Sequence, residues 1–100
     1  DALPIFSVLN EAIVKAISGS AVPGVDRQAV MDGYGPQDGP AIYDEVLTLV
    51  REAGAMPIEW GNMTLVEGVN DIMARFSELH PELNRDALFQ IGRCVGWLWR

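Results

Sequence analysis

The chain has 100 residues, 49% of them hydrophobic, and a formal net charge of −7 from fourteen acidic and seven basic side chains. That length suits one domain, here 1–100, and the apolar content is too high for a disordered acidic chain. The charge balance repels phosphate backbones and anionic lipid, so neither nucleic acid nor membrane is an expected partner, whereas a basic protein is.

The first predicted helix opens at Pro4, a residue suited to a first helical position. Ile5, Phe6, Leu9, Ile13, Ala16 and Ile17 recur at three- and four-residue steps, and "SGSAVPG" at 18–24 ends the pattern. Asp26 can cap a short helix over Arg27 to Asp32, with Ala29 and Val30 inward and Gly33 as a left-handed terminator.

The stretch "MDGYGPQDGPAIYDEV" at 31–46 has the most unusual composition in the chain. As a calcium loop starting at Asp32 it fails, because Tyr34 and Pro36 stand where oxygen ligands are needed. As a dinucleotide loop it fails too, since its glycines follow a helix rather than a strand. The expected role is a connector, with Asp38 or Gly39 capping the next helix and Pro40 near its start. Tyr34, between two glycines, is either an anchor at a loop tip or a ring folded back over the core. Ile42, Val46, Leu49 and Ala53, flanked by Tyr43, Leu47 and Val50, form the apolar face of the second main helix, which Gly54 closes.

"AMPIEWGNM" at 55–63 is the one place where a strand competes, with Ile58 and Trp60 alternating before a Gly-Asn turn pair. Thr64-Leu-Val-Glu67 is a capping box. Leu65, Val69, Ile72, Phe76 and Leu79 then follow at steps of 4, 3, 4 and 3, the cleanest helical pattern in the chain. Pro81 breaks it. Asn84 caps the last helix, striped by Leu88, Ile91, Val95 and Leu98. The heptad-like spacing is too short for a coiled coil. The expected fold is therefore all-α: a compact bundle of four main helices plus one short helix.

Catalytic constellations are sparse. His80, the only histidine, ends a helix, where it complements the helix dipole, and the nearby sequence does not offer the partners that a catalytic or metal role would need. Cys94 is the only cysteine. It allows no intramolecular disulfide or cysteine-based zinc site, reads as a small packed residue, and points to a reducing compartment, the cytoplasm. No apolar run reaches the roughly 18 residues of a membrane span. The chain opens at Asp1 rather than Met, the expected mark of trimming or processing, and prior removal of a signal peptide stays open. The short Asp-Ser-Leu motif of acyl carrier domains is missing. The expectation is a non-enzymatic protein with no cofactor and no metal.

Two features stand out as candidate contacts. Glu67, Asp71 and Glu78 share one helix face, and Asp44, Glu45 and Glu52 form a similar outer face on the preceding helix, so that neighbouring acidic faces would make a negative patch. In "GRCVGWLWR" at the C-terminus, Gly92 and Gly96 permit close helix approach. Trp97 and Trp99 stand about 200° apart around the helix. Trp99 continues the line of Val95, which leaves Trp97 as the exposed one and a candidate anchor.

Phe76 to Arg85 reads "FSELHPELNR". This segment resembles one in small helical immunity proteins that neutralise NAD-consuming toxins of bacterial type VI secretion, in which a helix ends in Phe-x-Glu-x-x-Pro-Glu-Leu-x-Arg. Phe76, Glu78, Pro81, Glu82, Leu83 and Arg85 fill those places. The likeness spans ten of the 100 residues and takes in none of the first half. It implies a small binding protein that works by occluding a toxin.

The expected function is a protein-binding module, such as an immunity or inhibitor protein, that covers a basic surface on a toxin or enzyme. Its contacts would be Tyr34, Asp44, Glu45, Glu52, Glu67, Asp71, Glu78 and Trp97. The alternative is a structural domain of a larger assembly, forming a homodimer through Gly92, Gly96 and Trp97 of the last helix.

Overall fold

The computed structural model describes residues 5–99, with side chains from residue 8. It is all-α: α1 (Ile5–Ser18), α2 (Arg27–Gly54), α3 (Leu65–Leu79) and α4 (Arg85–Trp99), with no strand among the described residues. The expected helix start at Pro4 lies outside them, as do the side chains of Ile5 and Phe6.

Local chemistry sets most of the boundaries. The Asp26 carboxylate accepts from the backbone N–H groups of Gln28 and Ala29 and starts α2. At α3 the box closes in both directions: Thr64 N donates to Glu67 Oε1 at 2.9 Å, and Glu67 N donates to Thr64 Oγ1 at 3.2 Å. Asn84 Oδ1 accepts from Ala87 N at 2.9 Å and starts α4.

The expected connector at 33–39 does not form. Helical structure continues through Gly33, which is no terminator, and breaks at a single residue, Gly35, with φ 80° and ψ 172°. That backbone region is essentially open to glycine alone. The short helix thus becomes the first limb of α2. Pro36 follows the break directly, where its missing N–H leaves no bond unmade. No cap at Asp38 or Gly39 is needed, and Gly39 instead lets the limbs close on each other. A Cβ there would lie 2.7 Å from Met31 Sδ.

The core takes most of the stripe residues the periodicity marks and adds Ala12, Ala87 and Cys94 beside them. Leu9, Ala12, Ile13, Ala16 and Ile17 of α1 meet Ile42, Val46, Leu49 and Ala53 of α2 and Ala87, Ile91, Cys94 and Val95 of α4. Ile72 and Phe76 of α3 are also fully buried, each burial contributing roughly 1.5–3 kcal/mol. Two stripes run out at their ends: Leu79 is 63% exposed, and Leu98, which reaches only the edge of α2 at Gly54, is 64% exposed.

α4 is the hub. It packs against α1, α2 and α3, whereas α3 leans mainly on α4 and touches α2 only slightly. The segment 55–64, irregular rather than extended, covers a second side of α3 after a turn in which Met63 N donates to Trp60 O at 2.7 Å. The third side of α3 is left open.

Candidate interaction surface

Half of the expected acidic patch, Glu52, Glu67 and Asp71, is committed to contacts within the chain. Glu52 meets His80 Nε2, and Glu82 lies 3.3 Å from His80 Nδ1. The imidazole also sits against the Phe76 ring, with centroids 4.5 Å apart. Burial disfavours the charged imidazole, but the bonds to Glu52 and Glu82 together outweigh it and raise the pKa of His80 above its ordinary value. His80 therefore ties the end of α2 to the end of α3, a partner 28 residues away that its sequence neighbourhood does not show.

Glu67 is held in the capping box, where the Thr64 N–H lowers its pKa. Asp71 accepts from Arg75 at 3.0 Å, while the same guanidinium donates to Pro57 O at 2.8 Å and pins the 55–64 segment. Asp44 and Glu78, both exposed, and Glu45, half-buried, form no ion pair among the described residues. α2 and α3, which carry the two acidic faces, meet only slightly.

Tyr34 occupies no loop tip. It lies in α2 with its hydroxyl donating to Glu11 Oε1 at 3.0 Å and Lys15 Nζ 5.3 Å from its ring centroid. Burial, then the bond to Glu11, pushes its pKa up to about 12. The ring folded over the core is the alternative the structure bears out. Cys94 is buried, and burial raises its thiol pKa.

The last helix divides its candidate residues between two faces. Trp97, 39% exposed, lines a hollow with Val25, Leu47 and Leu98. Trp99 is equally exposed and packs edge-on against Trp60, with centroids 5.7 Å apart. Gly92 and Gly96 lie on the other side, facing Val69 and Met73 of α3. Trp97 stands about 100° around the helix from Gly96 and about 140° from Gly92.

The glycines do not serve the close approach that the sequence suggests. A Cβ at Gly96 would stand 3.7 Å from Val69 Cγ2, and one at Gly92 would stand 3.4 Å from Met73 Cγ, both ordinary contacts. Each glycine costs roughly 1 kcal/mol against alanine in a helix interior, with no packing demand from α3 to explain it.

What they floor is an open groove of about 610 Å³ between α3 and α4. Its walls are Val66, Val69 and Met73 on one side and Leu88 and Phe89 on the other. Val66 is 68% exposed and Phe89 66%. Arg85 and Arg93 are the only charged side chains lining it. Sequence reading misses Val66 and Phe89, although each stands next to a stripe residue and widens the apolar face of its helix beyond what the core needs.

No family model matches the chain, and no significant match exists among curated proteins or solved structures.

Proposed function

We propose that this chain is a non-enzymatic protein-binding module that seats its partner on the α3–α4 groove. The observation that carries this reading is the pair Val66 and Phe89, two large apolar side chains about two-thirds exposed on opposite walls of one groove. Isolated exposed apolar residues are ordinary, but a contiguous apolar groove with a polar rim is the usual form of a docking site. The net charge of −7 remains the source of long-range steering and favours a partner that is basic overall. With Glu52, Glu67 and Asp71 engaged internally, Asp44, Glu45 and Glu78 are the acids left to contribute to it. The segment Phe76 to Arg85 supports an inhibitor of the immunity-protein kind, acting by occlusion, with Arg85 at the groove itself.

A photo-crosslinking side chain in place of Phe89, compared with one in place of the exposed Gln28 on α2, tests the reading in the cells that make the protein. Discrete adducts from position 89 that position 28 does not give are expected, and Gly92→Leu, which fills the groove, should remove them. Identical patterns from both positions would reject the groove as the contact face.

A further inference from the structure

The groove has a shape and a charge that select its occupant. It runs between two helices of 15 residues, about 22 Å long. No strand lies among the described residues and α3 and α4 bond their own backbones, so an extended peptide would find no edge to pair with. Side-chain recognition is what remains. Gly92 and Gly96 leave the floor without a side chain at two points one helical turn apart, the repeat at which a docking helix presents its own apolar side chains.

The charge points the same way. The chain as a whole is strongly acidic, yet the groove lining contains two arginines and no carboxylate. Arg93 is partly engaged, donating to Ser20 O at 3.0 Å and to Gln90 Oε1 at 2.9 Å. The Arg85 side chain forms no hydrogen bond or ion pair among the described residues and lies at the groove. At physiological salt, charges beyond about 8 Å are largely screened, so a side chain lying in the groove responds to these arginines more than to the net charge. A second copy seated groove to groove is disfavoured by the same local charge, since it would bring the arginines of one molecule toward those of the other.

Resting on the binding function proposed above, we infer that the groove receives an amphipathic helix of the partner, its apolar side chains at three- and four-residue steps over Gly92 and Gly96 and its carboxylates opposite Arg85 and Arg93. The partner is then basic as a whole and acidic at this one helix.

The test uses synthetic peptides of about 18 residues, long enough to span the groove and to hold some helix. One carries a leucine stripe flanked by glutamates, and its twin has lysines in place of the glutamates. Fluorescence anisotropy against the full chain should show the glutamate peptide binding about tenfold or more tighter, the size of one charge-assisted hydrogen bond. Arg85→Glu should cancel that preference. Gly96→Ala should weaken binding while raising the melting temperature, which separates loss of the site from loss of the fold. Equal or tighter binding of the lysine peptide, or no binding of either, overturns the inference; so does a dimer in sedimentation that Phe89→Glu dissociates. Should crosslinks from position 89 persist after such a failure, the docking face stands and only the helical acidic occupant is wrong. Without those crosslinks, both fall.

Discussion

The Trp60 ring rests on the backbone of Gly68, so close that a Cβ there would stand 2.4 Å from Trp60 Cζ3. Ile58 Cδ1 would lie 2.8 Å from that added Cβ. Gly68 is thus the seat that lets the 55–64 segment lie across α3, and Trp60 passes the contact on to Trp99 at the end of α4.

Gly68→Ala sets two effects against each other. Alanine gains roughly 1 kcal/mol of helix propensity. Overpacking against two large side chains typically costs about 1–3 kcal/mol, and here both neighbours would have to move. Net destabilisation is expected, with a change in tryptophan emission as Trp60 lifts from α3. A variant that melts higher than the parent with unchanged emission would contradict the contact.

The bend in α2 makes a paired prediction. Gly35→Ala forces a side chain into φ 80°, ψ 172° and should cost about 1–3 kcal/mol in denaturant unfolding. Gly33→Ala, two residues earlier in helix, meets only the flexible Lys15 side chain, at 3.5 Å from Cδ and 3.7 Å from Nζ, and should be neutral or stabilising by up to about 1 kcal/mol. Equal effects at the two positions would mean the break is not localised at Gly35.

His80 makes stability depend on pH with a definite sign. Its pKa is raised in the folded state, so its contribution is fully present below the unfolded value of about 6.5 and is lost as pH rises through the folded pKa. The groups facing it are Glu52 from α2 and Glu82 from the loop before α4, with the Phe76 ring beneath. Urea midpoints followed from about pH 6 to about pH 8.5 should fall more for the parent than for His80→Gln. Parallel curves would show that His80 does not supply the dependence.

Asn10 holds the α3–α4 loop onto α1 from both ends of its amide. Its Nδ2 donates to Glu82 O at 3.0 Å, and its Oδ1 accepts from Asn84 N at 2.8 Å. Because these groups are exposed, water can replace them, and Asn10→Ala should cost only about 1 kcal/mol in equilibrium unfolding. Coupling with Asn84→Ala in a double-mutant cycle is expected, since the same residue caps α4. Strict additivity would remove the link between clamp and cap.

Several of these features were legible before any coordinates. Asp26, Thr64 with Glu67, and Asn84 start their helices as their sequence contexts indicate, and Ile42, Val46, Leu49 and Ala53 turn inward together. Each of these depends on residues within about four positions of one another, the reach of a cap or a helical turn. The glycine-rich stretch misleads for the same reason. Seven residues rich in glycine and proline look like a loop, but only Gly35 departs from the helix, because its neighbours find packing on α1 and on Met31 that composition does not reveal.

The sequence alone determined four main apolar-striped helices, the caps that start α2, α3 and α4, and a buried Cys94, since periodicity and capping are short-range properties of the chain. Only the tertiary structure decided that Glu52 would be spent on His80, that Tyr34 would bond Glu11, and that Val66 and Phe89 would be left facing an open groove. Those outcomes depend on which helix lies opposite which. α3 has α4 on one side and the 55–64 segment on another, with nothing among the described residues against the third.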